Sequence, residues 1–407
     1  MKATILFLLL IVAGACSVDK TAGLSVSEPV QISTGAAGGA YFTTDNKGNK
    51  VLCWTEGEHG NEQLRYALYD YQRHDFSNTI TVPSKGINLS PETMNKVAFR
   101  NDGTVVAVFS RKHPTQSNKF AGSLMYSQSF DAGATWTEEK FVHTDTLPDN
   151  SRSYFDLATL PDGEVAVVWL DSRLKKGKQG SSVFFAKTSG ADGFSSDKLL
   201  AETVCQCCRT DIYVDETGSV HVVYRDIEES LGGQIRDFVH IVSTDNGNSF
   251  SMPNKISNDN WVVDGCPHTG ASMSSRRDVM QIVWFTGGGI PGLYFADSRN
   301  GGSTFQPREL VSQTGRHPQM AGLNDLTLIA WQEPASTIQN TSAHHGHHGD
   351  TSGDAALMLE VRMGKNRSIK KIHIEGAGEF PVVTALSETE GLIAYSALNR
   401  IMVRRIQ

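Results

Sequence analysis

Apolar runs of strand length, broken by short polar turns carrying Asp, Asn or Gly, recur along nearly the whole chain. The runs pair into hairpins: AYFTTDNKGNKVLCW from Ala40, KVAFRNDGTVVAVF from Lys96, YFDLATLPDGEVAVVW from Tyr154 and TDIYVDETGSVHVVY from Thr210. Then come TGASMSSRRDVMQIVW from Thr269, QMAGLNDLTLIAW from Gln319 and VVTALSETEGLIAY from Val382. Their starts lie about 50 to 63 residues apart, the length of a four-stranded blade with its loops. A third and a fourth strand follow, as in GSLMYSQ with KFVHT or DFVHIVS with NKIS. The last unit stops at three strands, in RIMVRRIQ, and EPVQIST (Glu28 to Thr34) is left to supply its outer strand, which would remove an open sheet edge. The pattern therefore predicts an all-β, seven-bladed β-propeller of four-stranded antiparallel blades, closed by an N-terminal strand.

A turn of fixed form supports the repeat. SFDAGATW (Ser129 to Trp136), STDNGNSF (Ser243 to Phe250) and SRNGGSTF (Ser298 to Phe305) each place a hydroxyl residue first, Asp or Asn third, Gly fifth, Ser or Thr seventh and an aromatic eighth. The short polar side chains of Asp131, Asp245 and Asn300 can accept from the turn's own amides, and Gly permits a positive φ. These turns resemble the Asp box of the sialidase (BNR-repeat) superfamily of β-propellers, in which the motif is a structural clasp. The resemblance raises a six-bladed alternative, because catalytic sialidases have six blades. It also implies chemistry by three arginines that hold a substrate carboxylate, a Tyr activated by Glu and an Asp acid/base. Arg209, Arg225 and Arg316, with Asp171 or Asp226 as the acid and Glu56 or Glu333 beside a Tyr such as Tyr395, are the candidates for those roles. The family's early Arg-Ile-Pro segment does not occur here.

The N-terminus adds a location. Residues 1–16 carry Lys2, an apolar run from Ile5 to Val12 and small residues leading into Cys16, which reads as an export signal too short to span a bilayer. It resembles a bacterial lipobox, which implies lipidation of Cys16 and an exported cell-envelope lipoprotein held to the membrane by acyl chains. Residues 17–26 read as a linker and 27–407 as the propeller domain. A net charge of −7 over 407 residues is mild and offers no basic stripe for nucleic acid.

The sharpest chemistry lies in loops entering three successive inner strands. CQCCRTD supplies Cys205, Cys207, Cys208 and Arg209; DGCPHTG supplies Cys266 and His268; GRHPQM supplies Arg316 and His317. In a propeller these loops share one face around the channel, together with the loops joining second and third strands. One of the latter carries HHGHHGD, with His344, His345, His347 and His348. Thiolates with imidazoles suit copper or zinc, copper(I) being the softer match. Exported cysteines also form disulfides, so a structural bridge through Cys266 competes with a metal or redox site. Acids and arginines predicted for the same rim, Glu56, Arg111, Asp171, Arg173, Arg225, Asp226, Arg236, Asp237 and Glu333, would suit an anionic ligand or glycan, or else lock loops as ion pairs. Three functions remain open: a rim that binds a soft metal or a metal-bearing protein, a sialidase-type glycosidase or sugar-binding protein, and a scaffold that docks another protein on the channel face with its cysteines merely bridged. The segments CxCC and CPH are foreign to catalytic sialidases and resemble a group of exported sialidase-like proteins.

Overall fold

The computed structural model describes residues 23–58, 60–175, 179–263, 265, 267–334, 355–364 and 368–407. Seven antiparallel blades form a propeller ring, so the chain takes the seven-bladed form and not the six-bladed alternative. The inner strands are Ala37–Thr44, Lys96–Phe99, Arg152–Thr159, Asp211–Val214, Ser272–Arg276, Arg316–Leu323 and Glu379–Ala385. Val30–Gln31 pairs antiparallel with Arg400–Ile406 on the outer side of blade 7, in the register Val30 opposite Val403. In blade 1 the outer position is divided between Asp75–Phe76 and Ile80–Thr81.

The alternation read from the sequence becomes layers of core between blades. Leu52, Trp54, Val382 and Ala394 close blade 1 onto blade 7, while Val106, Trp169 and Phe184 fill the space between blades 2 and 3. Four second strands bury a Trp completely, and each indole N–H donates to a carboxylate: Trp54 to Glu56 (2.8 Å), Trp169 to Asp171 (3.1 Å), Trp284 to Asp259 (2.8 Å) and Trp331 to Glu333 (2.7 Å). A buried donor left without a partner costs about 1–3 kcal/mol, so these acids hold their tryptophans.

The repeated turns clasp as their sequence predicts. The Ser129 hydroxyl accepts from the Gly133 amide at 2.7 Å, and the Asp131 carboxylate accepts from both the amide (2.8 Å) and hydroxyl (2.6 Å) of Thr135. Ser243 with Asp245, and Ser298 with Asn300, repeat the arrangement. The fifth-position glycines have φ of +94°, +77° and +82° at Gly133, Gly247 and Gly302. Each also lies against a ring of the preceding blade, Tyr66, Phe185 and His240 respectively, leaving no room for a Cβ. The turn thus joins neighbouring blades as well as its own hairpin.

Inner strands are stitched by side chains at one level of the channel. Asp156 accepts from the Ile212 amide (3.0 Å), Asp211 from Met273 (2.7 Å) and Ser272 from Met320 (3.1 Å). Lys96, fully buried, donates to Asp156 at 2.8 Å and lies 3.8 Å from the Tyr41 ring centre. Burial and the neighbouring Asp156 charge push the Asp211 carboxyl well up.

Candidate functional site

CQCC forms a tight turn between the outer strand of blade 3, Lys198–Val204, and the inner strand of blade 4. The Cys205 amide donates to the Arg225 carbonyl at 2.9 Å, which fixes the start of the turn to the end of blade 4's second strand. Spacing of two and three residues then turns three side chains to one point. The Cys205 sulfur lies 3.6 Å from that of Cys207 and 3.5 Å from that of Cys208, and all three lie within 4.8 Å of one another. The cysteines are 1%, 3% and 1% exposed, and Tyr154 packs against them.

Two arginines close the inner side. Arg225 Nε donates to Cys208 Sγ at 3.2 Å, and its other nitrogens reach the carbonyls of Arg236 (2.9 Å) and Phe285 (2.7 Å). Its guanidinium is sandwiched between the Phe238 and Trp261 rings. Arg236 reaches the Cys205 sulfur at 3.6 Å, the Gly265 carbonyl at 2.6 Å and the Gln234 side chain at 3.2 Å, and its Nε meets no acceptor among the described residues. Both are at most 1% exposed, and neither has a carboxylate within ion-pairing distance among the described residues. A buried cation without a counter-charge costs several kcal/mol, so the sulfurs are the groups placed to supply it. Hydrogen bonding with Cys207 and Cys208, helped by the Arg225 charge, holds the Cys205 thiol well below its usual range. Burial pushes Cys208 up to about 12.

None of Cys53, Cys205, Cys207 and Cys208 is bridged, so no disulfide forms among the described residues. Cys266, the expected bridging partner, and His344, His345, His347 and His348 lie outside the described residues, as does Cys16. Cys53 is wholly buried, an apolar-like core residue whose thiol burial pushes up to about 12.

His317 and His268 do not join the thiol group, which among the described residues consists of the three cysteines. His317 instead contacts Glu92 through Nδ1 and lies 4.8 Å from the Phe380 ring. Glu92 also receives Arg209, at 3.3 Å, and Arg209 reaches the Pro318 carbonyl at 3.5 Å. Burial works to raise the Glu92 carboxyl, but His317, Arg209 and His268 outweigh it and hold it below the ordinary range. Non-glycine residues with positive φ collect here: Met94 (+42°), Tyr154 (+52°), His268 (+49°), His317 (+52°) and Phe380 (+51°). Such backbone costs about 1–3 kcal/mol each and gathers at ligand sites. Glu92 escaped the sequence reading because its loop, PETMN, carries neither Cys nor His; an acid in a loop entering an inner strand was the available signal.

The remaining candidates are separated. Arg316 stacks 3.7 Å from the Phe285 ring centre and donates to the carbonyls of Thr314 and Gly315, so it shares only Phe285 with Arg225, which meets that residue's carbonyl, and none of the contacts given for Arg209. Asp171 is wholly buried between Trp169, Arg152 and Arg173. Burial raises the Asp226 carboxyl, and Tyr395 accepts from Arg404 at 3.0 Å within blade 7.

Compared by sequence, the chain matches no family model and no curated protein. Compared by structure, it is similar to the polysaccharide lyase Uly1, at 11% identity over 93% of this chain and 91% of that one, with a TM-score of 0.55. A protein of unknown function from Dyadobacter fermentans gives 14%, 95%, 99% and 0.52, and the Hadza microbial sialidase Hz136 gives 13%, 86%, 74% and 0.51. The chain has a sialidase-like propeller fold. At these identities the likeness is one of fold. This sialidase-like propeller carries its thiol turn in a loop entering an inner strand, the position at which propellers present side chains around the channel mouth.

Proposed function

We propose that this protein is an exported, lipid-anchored propeller that binds a soft metal ion, copper or zinc, on the thiol cluster of its channel face. The observation that carries the proposal is three buried sulfurs within 4.8 Å of one another, backed by two buried guanidiniums that meet no carboxylate among the described residues. Thiolates are the protein's soft ligands, and binding would displace their protons to solvent. A metal-bearing protein or small metal complex is the corresponding partner, and Cys16 is the proposed site of the membrane anchor. Thiol titration of the purified protein after unfolding, with and without chelator, tests the proposal together with elemental analysis. Stoichiometric metal that leaves on Cys205→Ser or Cys208→Ser supports it; a folded, reduced protein that holds no added metal rejects it.

A second function, at a different site, is favoured by Glu92 and His317. A buried carboxylate on Nδ1 orients the imidazole, as a general base requires. Fold neighbours named as a polysaccharide lyase and a sialidase make an anionic glycan the ligand class. Turnover of acidic polysaccharides or sialosides that is abolished by His317→Ala would establish it, and inactivity of the wild type across both classes would remove it.

A further inference from the structure

The sulfurs of Cys205 and Cys208 lie 3.5 Å apart across a spacing of three residues, and both are free thiols. Each also meets a guanidinium, Arg236 at 3.6 Å from Cys205 and Arg225 at 3.2 Å from Cys208. We infer that Cys205 and Cys208 form a reversible dithiol–disulfide couple, with Cys205 as the attacking sulfur, Cys208 as the resolving one and a small disulfide as the oxidant. The inference uses the sulfur geometry of the proposed metal site and goes beyond it, since no metal takes part.

A sulfur–sulfur bond is about 2.0 Å long, so the pair must close by about 1.5 Å, within the reach of side-chain rotation. Two intervening residues spare the bridge the strained ring that the adjacent Cys207 and Cys208 would form with each other. The roles follow from the surroundings. Cys205 is near both of its neighbours, Cys207 at 3.6 Å and Cys208 at 3.5 Å, so two thiols and the Arg236 guanidinium can donate to its thiolate. A thiolate held beside an arginine is the reactive form of cysteine. In the first step the Cys205 thiolate attacks one sulfur of the small disulfide, forming a mixed disulfide and expelling one thiolate. In the second, the Cys208 thiolate, stabilised by Arg225, attacks the Cys205 sulfur and expels the other. Two protons and two electrons leave the protein, and the small disulfide becomes two thiols. At 1% exposure each, the sulfurs admit a small oxidant in preference to a folded one. The bridge takes two soft donors out of the cluster, so oxidation and metal binding oppose each other.

The purified protein, reduced and metal-free, is equilibrated with reduced and oxidised glutathione at a series of ratios, quenched with acid, alkylated and mapped by peptide mass spectrometry, with circular dichroism to confirm the fold. One bridge joining Cys205 to Cys208 is expected, reversed by excess reduced glutathione and retained in Cys266→Ser. The double variant Cys207→Ser/Cys208→Ser should stop at one glutathione on Cys205. Arg236→Met should slow formation of that adduct by at least about threefold, because less of the thiol is ionised. A wild-type bridge to Cys207 or Cys266, no adduct on Cys205 in the double variant, an adduct rate indifferent to Arg236→Met, or a folded wild type that stays reduced at every ratio would overturn the inference. None of these outcomes depends on metal binding by the reduced protein, so the two proposals stand or fall separately.

Discussion

Arg225 Nε donates to the sulfur of Cys208 at 3.2 Å, in a place where both residues are about 1% exposed and no carboxylate among the described residues pairs with the guanidinium. The contact joins the end of blade 4's second strand to the turn that enters its first. In the reduced, metal-free protein, Cys208→Ala leaves that donor without an acceptor and should cost about 1–3 kcal/mol in denaturant unfolding. Cys208→Ser, whose hydroxyl can accept, should cost less. A double-mutant cycle with Arg225→Met should return a coupling of about 0.5–3 kcal/mol; additivity would show that the contact carries no energy.

Glu92 gathers the charges at the channel mouth. Arg209 has a side chain only 5% exposed, and Glu92 is its acidic partner. Glu92→Ala should therefore destabilise the fold by about 3–5 kcal/mol by stranding a buried cation. His317→Ala, at a side chain 17% exposed, should cost distinctly less. Equal costs measured by urea unfolding would contradict this assignment of roles.

The glycine of the repeated turn answers to two constraints, and they separate experimentally. Gly247 and Gly48 both have positive φ, +77° and +86°, but only Gly247 has a ring, that of Phe185, where a Cβ would go; Gly48 has open space. Gly48→Ala should cost about 1 kcal/mol from backbone strain alone. Gly247→Ala should cost about 2–4 kcal/mol, because the blade contact must shift as well. Thermal unfolding of the two variants decides it.

Two buried histidines set an acid limit. Burial lowers His143 to about 4, and burial with the neighbouring His221 lowers His240 to about 3. His240 Nε2 lies 2.8 Å from His221 Nδ1, whose other nitrogen meets Asp215 at 3.1 Å. The folded state keeps these rings neutral, whereas the unfolded chain binds protons near pH 6.5. Their contribution is complete above that value and lost as pH falls, about 2 kcal/mol for each by pH 5. Stability from denaturant melts should decline between pH 7 and 5, before the carboxylates titrate; a flat profile over that span would refute the assignment.

The ring was legible because its signals are local. Hairpins with Asp–Gly or Asn–Gly turns, spaced at blade length, need no knowledge of distant contacts, and the Ser129, Ser243 and Ser298 turns gave their own hydrogen bonds from residue order. The site was legible only in part. Cys205, Cys207 and Cys208 meet because they are close in sequence, so a short turn sufficed to predict their company. Arg236 was visible only as a member of an acid and arginine rim, since nothing local says that a residue just before the strand Phe238–Ser243 will point its guanidinium at a sulfur 31 positions earlier. Asp171 and Glu333 looked like rim acids, but the Trp two residues before each, visible in WLD and WQE, explains them as indole acceptors. Glu92 and Lys96 depend on partners 225 and 60 residues away, the range at which sequence order carries no geometric information.

The most direct test of the central claim is the metal content of the folded, reduced protein after exposure to one equivalent of copper(I) or zinc(II) and desalting, beside the same measurement on a variant with Cys205, Cys207 and Cys208 all changed to Ser. The account predicts about one ion per chain in the wild type and none at that site in the variant. A wild type that emerges folded and empty, or a variant that binds as well as the wild type, would contradict it.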